Sequence, residues 1–252
     1  MVDPNQLRGP DLGSRAEAHG ERELDEPIVD AVRAGDTVTI LSLMSPPPPA
    51  VDIEFPVAAD KLKKYHDSLA TVASVRGIIG PREVPRLWER HILNCVAVAE
   101  LMPEDASVVD IGSGAGLPGI PLAIVRPDLK ITLVESALRR TTYLSEVVQE
   151  LGLENVTVLR GRAESKDVAA VAGNSDVITS RAVAPLGRLA EWSLPLLRSG
   201  GHMLAMKGDS VAEEVERDAA LVKKFGGRNA KVTEVAPSYV EEPTFIIDIA
   251  KK

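Results

Sequence analysis

One acid and a set of glycines follow an apolar run near the middle of the chain. The segment Val108–Pro121 reads VVDIGSGAGLPGIP, in which Asp110 is followed by Gly112, Gly114 and Gly116 at alternate positions. Glycine lets the backbone lie close to a ligand, and a helix that follows offers unpaired N–H groups at its N-terminus. A carboxylate accepts hydrogen bonds from ammonium or hydroxyl groups. The segment therefore predicts a turn that binds a ligand.

The glycines are compatible with three interpretations. Gly114, Gly116 and Gly119 match the GxGxxG of dinucleotide-binding folds, but this match begins two residues late, because the apolar run ends before Gly112. Asp110 followed by alternating glycines is the pattern of Rossmann-like methyltransferases, in which the loop surrounds the methionine part of S-adenosylmethionine and the acid serves its ammonium group. The third interpretation is a turn without a ligand. A P-loop is excluded, because no Lys-Ser or Lys-Thr follows the glycines. We favour the methyltransferase register.

Polar residues also follow the next two apolar runs. Glu135 ends the run ITLVES, where its carboxylate would accept both ribose hydroxyls of a nucleoside. NAD-dependent enzymes use the same contact, so Glu135 does not separate the two ligands. Ala163 and Glu164 end the next run, VLRGRAES, where a backbone N–H or a carboxylate would contact the adenine. For Glu164 the alternative is an acid that stabilises the N-terminus of a helix.

These residues lie at the ends of predicted strands that alternate with helices. The predicted parallel strands are Val108–Ile111, Ile131–Val134, Val156–Leu159, Asp176–Thr179 and Met203–Met206, and Arg139–Leu151 is the clearest helix between them. Continuous apolar strands separated by helices predict a parallel sheet covered on both faces, with ligands at the carboxyl ends of the strands. Ala230–Val235 and Thr244–Ile249 have no long helix between them and predict an antiparallel pair at one edge.

Two helices are predicted before the sheet. Asp60 begins the first, and the second runs from about Glu83 to Leu101 with Pro85 in its first turn. The residues predicted to be buried in them are Leu62, Tyr65, Leu69, Val72, Trp88, Ile92, Cys95 and either Val98 or Ala99. We predict an α/β fold of the Rossmann-like class I methyltransferase type, with a mainly parallel seven-stranded sheet, an antiparallel C-terminal edge pair and these two N-terminal helices.

The chain divides into two parts by composition. Residues 1–59 are rich in acids and prolines, and we predict a mostly disordered tail with a weak helix at Glu26–Arg33. Residues 60–252 are predicted to form the methyltransferase domain, which begins with a helical cap at 60–104. Met44 precedes the proline run, and a start there would remove residues 1–43.

Composition excludes several classes of protein. The 252 residues carry a net charge of −8 and contain no apolar run long enough to span a membrane. A single cysteine excludes an intramolecular disulfide, and the four histidines show no metal-ligand spacing, so we predict no metal. These features favour the cytoplasm, and we also expect a monomer. The negative charge argues mildly against nucleic-acid binding, so an RNA-binding surface would be a local basic patch.

Six segments together resemble one family. RHILNC, VVDIGSGAGLPGIPLAIVRPDLKITLVES, RRTTYL, RGRAES, SRAVAPL and MLAMKG occur in this order within residues 82–208. They are similar to the RsmG (GidB) family, the bacterial 16S rRNA guanine-N7 methyltransferases. The resemblance implies methyl transfer from S-adenosylmethionine to N7 of a guanosine in the decoding-region loop of 16S rRNA. The family's Asn-Leu-Thr segment between the two N-terminal helices is replaced here by SVRGIIGPREV.

The resemblance also implies a set of cofactor contacts. These are Gly112, Leu117, Ala163, Glu164 and Arg181, to which the residues themselves add Asp110, Gly114, Gly116 and Glu135. Guanine N7 carries a lone pair and loses no proton when it is methylated, so no general base is required. Arg181 ends the fourth predicted strand, where cofactor and base would meet. We expect it to position them, and the alternative is an ion pair with an acid such as Glu164.

Further basic residues are predicted to hold RNA. Arg82, Arg86 and Arg90 recur at a spacing of four on one helix face, where the alternative is an ordinary solvated face. Arg139, Arg140 and Lys207 follow predicted strands at the same rim. Two other functions remain open, namely a methyltransferase-fold enzyme for a small molecule or a protein, and a nucleotide-binding module without catalysis.

Overall fold

A seven-stranded sheet forms the centre of the protein. The computed structural model describes residues 25–181, 183–208 and 211–252. The strands are β1 (Ser107–Ile111), β2 (Lys130–Glu135), β3 (Val156–Arg160), β4 (Ser175–Arg181), β5 (Leu197–Lys207), β6 (Gly227–Val235) and β7 (Thr244–Lys251). Their order across the sheet is β3-β2-β1-β4-β5-β7-β6. The order reverses beside β1, so the glycines after β1 lie at the switch point where ligands bind in such sheets.

The strand directions confirm the predicted topology. β1 pairs in parallel with β2 and β4, β2 pairs in parallel with β3, and β4 pairs in parallel with β5. β7 pairs antiparallel with both β5 and β6. Each predicted strand lies within an observed one. β5 begins earlier than predicted. Its first residues are mostly exposed, so the apolar run in the sequence marked only its second half.

Helices cover both faces of the sheet. They are α1 (residues 25–34), α2 (Thr37–Leu43), α3 (Pro49–Glu54), α4 (Ala59–Ser68), α5 (Asn94–Ala97), α6 (Gly119–Val125), α7 (Leu138–Glu150), α8 (Lys166–Ala172), α9 (Leu186–Ser193) and α10 (Val211–Lys224). Neighbouring residues of β1 belong to different cores: Val108 packs with the cap, whereas Val109 packs with the cluster that contains Leu189 of α9. A strand with a core on each face has no polar side, which explains the continuous apolar runs.

The helical cap is less regular than predicted. α4 continues into a π-helical turn at Leu69–Ala73, and the predicted second helix consists of a 3-10 turn at Pro81–Arg86, a π-helical turn at Leu87–Leu93, α5, and a 3-10 turn at Val98–Leu101. Pro85 lies inside the first 3-10 turn, where its missing N–H prevents regular α-helical pairing. The predicted core residues are buried, apart from Val72, which is partly buried; of the two alternatives at the end of the cap, Val98 is buried and Ala99 is partly buried.

The prediction of disorder is wrong for residues 25–59. This segment forms α1, α2 and α3, of which the predicted weak helix is a part, and it buries Ile28, Val29, Ile40 and Val51. Composition was misleading because a few apolar residues at helical spacing are sufficient to stabilise a helix where the rest of the chain already offers an apolar surface to pack against. The last proline of the run, Pro49, begins α3 at a position where a missing N–H does no harm. Residues 1–24 lie outside the described part.

A chain that starts at Val51 is therefore expected to be less stable than one that starts at Asp25. It loses the buried side chains Ile28, Val29 and Ile40, each of which contributes about 1.5–3 kcal/mol before the entropy of ordering is subtracted. Since 1 kcal/mol changes the melting temperature of a chain of this size by about 2–4 °C, thermal unfolding of the two chains should differ by roughly 5 °C or more. Coincident melting curves would show that α1 and α2 do not stabilise the domain.

Candidate functional site

A cavity of about 540 Å³ lies at the carboxyl ends of β1, β2 and β4. Its size is typical of small-molecule sites. Seven of the nine residues predicted to bind the cofactor line it: Gly112, Gly114, Leu117, Glu135, Ala163, Glu164 and Arg181. The sheet brings these residues together because parallel strands end at one edge.

The glycine loop has the conformation that its glycines allow. Gly112 and Gly114 have φ values of +69° and +58°, a region that other residues rarely adopt. The N–H of Gly112 donates to Val134 O at 2.8 Å, which holds the loop against the end of β2. A Cβ atom on Gly112 would lie 2.9 Å from the side chain of Val183, whereas one on Gly114 would meet only a backbone oxygen at 3.8 Å. The backbone of Gly114 is therefore open to the cavity.

Glu135 is fixed in place at the tip of β2. Its side chain is 4% exposed, and its Oε2 atom accepts a hydrogen bond from the N–H of Gly114 at 3.1 Å. Oε1 accepts from the N–H of Ala137 at 2.9 Å, and Arg140 Nη1 lies 3.5 Å from Oε2. The carboxylate is thus oriented at the cavity wall before any ligand binds, which favours the recognition of hydroxyl groups.

Asp110 and Gly116 lie behind the loop and not on the described cavity wall. Asp110 is buried, its Oδ2 accepts from the N–H of Gly119 at 3.2 Å, and burial raises the pKa of its carboxyl to about 7. Gly116 has a φ of +101°, and a Cβ there would lie 2.5 Å from Ile120 and 3.1 Å from the Tyr65 hydroxyl. Both residues therefore support the loop from its inner side, and their direct contact with a ligand stays a prediction.

Tyr65 ties the cap to the loop and was not predicted as part of the site. Its buried hydroxyl donates to Ala115 O at 2.9 Å, across 50 residues of sequence. Burial raises the pKa of this phenol further above its ordinary value, so it stays a hydrogen-bond donor. The position of the glycine loop thus depends on α4.

Arg181 joins the cap to the sheet from within the cavity wall. Its Nη2 atom donates to Arg90 O at 2.9 Å, and its Nη1 atom donates to Cys95 Sγ at 3.5 Å. The alternative partner, Glu164, instead has its carboxylate 4.0 Å from Arg162 Nη1 in an exposed pair. The guanidinium is therefore held by the cap.

Residues of the cap that line the cavity were missed by the sequence analysis. They are Ile78, Ile79 and His91. His91 Nε2 lies 2.8 Å from Glu83 Oε2, and burial together with Arg181 lowers the pKa of the imidazole to about 4. A signal existed, since His91 shares the RHILNC segment with Arg90 and Cys95, but histidine was considered only as a metal ligand. Trp192 and Val183, which complete the far wall, gave no comparable signal.

The three arginines predicted at a spacing of four do share one surface. Arg82, Arg86 and Arg90 border a second cleft of about 820 Å³ between α1 and the cap. Acids border the same cleft: Asp25, Glu26, Glu89, Glu241 and Glu242. Arg86 Nη2 lies 3.5 Å from Asp25 Oδ2, whereas Arg82 and Arg90 are exposed.

The remaining predicted basic residues have partners within the protein. Arg139 Nη2 donates to Gly77 O at 3.2 Å, and Arg140 contacts Glu135. Lys207 is 14% exposed, and its Nζ atom donates to Ala184 O at 2.7 Å and to Glu214 Oε1 at 3.1 Å. Lys207 thus holds α10 against the segment after β4, and its RNA contact stays a prediction.

The described residues contain neither a metal-binding cluster nor a helix suited to a lipid bilayer. No three of their His, Cys, Asp or Glu side chains form a group that could hold a metal ion. None of their helices is long and apolar enough to cross a membrane.

Comparison with known proteins gives consistent matches. The family model "GidB: rRNA small subunit methyltransferase G" matches residues 58–240. The chain is 60% identical to ribosomal RNA small subunit methyltransferase G of Corynebacterium efficiens, over 81% of this chain and 88% of that protein. It is 56% identical to the protein of the same name from Rhodococcus jostii, over 75% and 82% of the two chains.

Solved structures agree on the fold alone. The crystal structure of M. jannaschii TYW2 in complex with AdoMet superposes with a TM-score of 0.51 at 18% identity, covering 66% of this chain and 78% of that one.

Proposed function

We propose a function from one premise: the chain belongs to the rRNA small subunit methyltransferase G family. The protein transfers a methyl group from S-adenosylmethionine to N7 of a guanosine in the decoding-region loop of 16S rRNA. One observation carries the proposal. All described residues that line the cavity lie between positions 78 and 192, within the 58–240 segment that the family model matches.

The residues of the cavity fit S-adenosylmethionine. The open backbone at Gly114 provides room for the methionine part, and the fixed carboxylate of Glu135 accepts the two ribose hydroxyls. Ala163 and Glu164, after β3, lie on the same wall and would contact the adenine. Bound S-adenosylmethionine would supply a methyl group on a positively charged sulfonium, whose sulfur is a good leaving group.

The protein's own residues orient the two reactants and transfer no proton. Guanine N7 presents a lone pair and loses no proton, so neither a base nor a nucleophile is needed. Holding two reactants in line supplies up to about 7–11 kcal/mol of the barrier. Arg181 is suited to this task because two contacts with the cap fix its guanidinium at the cavity wall.

Methyl transfer from labelled S-adenosylmethionine to purified 30S subunits and to naked 16S rRNA tests the proposal. We expect incorporation that maps to N7 of one guanosine in the decoding region. Incorporation into protein or a small molecule alone would favour the alternative enzyme. Calorimetry provides the second arm, because binding of NADH without binding of S-adenosylmethionine would indicate a dinucleotide-binding module.

We propose that the substrate RNA lies across the exposed arginines beside the second cleft. Arg90→Ala is expected to weaken RNA binding and to reduce the salt dependence of log K by about one unit at most, because fewer counterions are released. Arg86→Ala should act in the same direction but less strongly, since Asp25 already offsets part of its charge. Affinity for S-adenosylmethionine should not change in either variant.

Arg198→Ala is the matched control for the arginine variants. Arg198 is half exposed and pairs with Asp176 near the opposite, amino ends of β4 and β5. Its loss should leave RNA affinity unchanged. Equal salt dependence in the wild type, Arg86→Ala and Arg90→Ala would show that these arginines form only a solvated surface.

We also propose that the protein acts as a monomer in the cytoplasm, on a substrate that belongs to the small ribosomal subunit. The boundary of the catalytic domain at residue 60 is supported by the family model, which begins at residue 58. Residues 25–59 pack on that domain from outside the matched segment.

A further inference from the structure

The glycine loop, residues 112–118, needs contacts to hold one shape. Gly112, Gly114 and Gly116 all have positive φ values, +69°, +58° and +101°. Glycine adopts many backbone conformations at similar energy, so the glycines permit this shape but do not enforce it. A ligand that binds one conformation loses affinity in proportion to the time that the loop spends in others. The hydrogen bonds that hold the loop therefore affect how tightly the cofactor binds.

Two neighbouring residues of the loop, Gly114 and Ala115, line the cavity and are held by different parts of the protein. The N–H of Gly114 donates to Glu135 Oε2 at 3.1 Å, so the tip of β2 holds this residue from the sheet. The carbonyl of Ala115 accepts from the Tyr65 hydroxyl at 2.9 Å, so α4 holds the next residue from the cap. Among the described residues, Tyr65 is the only hydrogen-bond partner of Ala115 O.

The surroundings of this bond make its donor hard to replace. Tyr65 is fully buried, Ala115 is 7% exposed, and both belong to the same apolar cluster. Burial raises the pKa of the phenol further above its ordinary value, so the hydroxyl keeps its proton. A buried carbonyl that loses its donor costs more free energy than the bond itself contributes. Without the hydroxyl, the loop would therefore shift until Ala115 O reaches solvent.

We propose that Tyr65 is a positioning residue for the cofactor: its bond to Ala115 O holds the glycine loop in the conformation that binds S-adenosylmethionine. This inference rests on the proposed function, from which it takes its ligand. Tyr65 does not line the cavity and acts through Ala115, which does. Its loss should therefore weaken the binding of the cofactor and leave the methyl-transfer step itself nearly unchanged.

Two matched variants separate this role from a structural one. Tyr65→Phe removes the hydroxyl and keeps the ring, so the packing of the core is preserved. Tyr143→Phe is the control, because Tyr143 is equally buried and its hydroxyl lies 3.2 Å from Ser68 Oγ. That bond joins α7 to α4 and does not involve the glycine loop. If both tyrosines were only structural, both variants would melt at lower temperature and neither would lose affinity for the cofactor.

Calorimetry with S-adenosylmethionine measures Kd for the wild type and for both variants. We expect Tyr65→Phe to bind about three- to ten-fold more weakly, the range that one neutral hydrogen bond supplies, and Tyr143→Phe to bind as the wild type does. In methyl transfer to 30S subunits, Tyr65→Phe should raise KM for the cofactor and keep most of kcat.

Amide hydrogen exchange provides a second measurement, which does not depend on the titration. In Tyr65→Phe without cofactor, the amides of the glycine loop should exchange faster, whereas the amides of β1 in the same sample should exchange as in the wild type. The comparison with β1 separates a loosened loop from a general loss of stability.

Unchanged affinity in Tyr65→Phe, an equal loss of affinity in Tyr143→Phe, or equally faster exchange in the loop and in β1 would overturn the inference. A wild-type chain that binds no S-adenosylmethionine would instead overturn the proposed function. The two failures are therefore distinguished by the wild-type measurement alone.

Discussion

Arg181→Ala is expected to lower the rate of methyl transfer by about two orders of magnitude, the loss that follows when reactants are misplaced by ~1 Å. The side chain lines the cavity where the sheet meets the cap, and its contacts with Arg90 O and Cys95 Sγ fix its direction. Single-turnover transfer to 30S subunits, with saturating cofactor, measures the loss. Stability should change little, since a partly exposed interaction of this kind contributes ~1 kcal/mol or less.

Two further variants make this prediction specific. Arg181→Lys should not restore activity, because an ammonium group cannot reproduce a planar fork that reaches two acceptors at once. Arg126→Ala is the matched control, since Arg126 also donates to a carbonyl of the cap, Ala99 O, at 3.0 Å. It should retain most of the activity. If Arg181→Ala melts many degrees lower while its folded fraction is fully active, Arg181 is a structural residue.

Gly116→Ala is expected to destabilise the fold by about 2–5 kcal/mol, through backbone strain and overpacking together. The φ of Gly116 is +101°, and an added Cβ would lie 2.5 Å from Ile120, 3.1 Å from Leu144 and 3.1 Å from the Tyr65 hydroxyl. These neighbours belong to the packed core, so they cannot move aside without a further loss of contacts. Thermal unfolding should shift by roughly 10 °C, and affinity for S-adenosylmethionine should fall, because the loop and the bond from Tyr65 to Ala115 O shift together.

Gly152→Ala isolates the effect of backbone strain from that of packing. Gly152 also has a positive φ, +57°, but a Cβ there would meet nothing within 4 Å. Its free energy of unfolding should fall by only ~1–2 kcal/mol, the cost of backbone strain. Its affinity for S-adenosylmethionine should not change. Equal destabilisation in the two variants would show that the contacts of Gly116 with Ile120 and Tyr65 are unimportant.

The sheet and much of the cofactor wall could be predicted from the sequence because their signals are local. A strand buried on both faces must be a continuous apolar run, and Val108 and Val109 do pack into different cores. The residue that follows such a strand lies at the ligand edge of the sheet, which is why Gly112, Glu135 and Ala163 were found. The backbone itself brings these positions together, with no need to know which helices pack where.

Only the tertiary structure determined which residues of the glycine loop face the cavity and which face the core. Asp110 and Gly116 share the spacing of Gly112 and Gly114, yet they face the core. Alternation along the sequence does not determine which side of a turn faces a cavity, since that depends on what packs behind the turn. Here Gly119 and Tyr65 fill the space behind it.

The sequence by itself thus determined the positions of the strands along the chain, the ligand edge and the acid that marks the tip of β2. Only the tertiary structure decided that Arg181 reaches a carbonyl 91 residues away, that His91 lines the same cavity, and that residues 25–59 form helices on the domain. The physical reason is the range of the interactions. Strand periodicity and glycine conformation are properties of neighbouring residues, whereas a contact between cap and sheet, or a weakly apolar helix, is stabilised only by a surface that distant segments build.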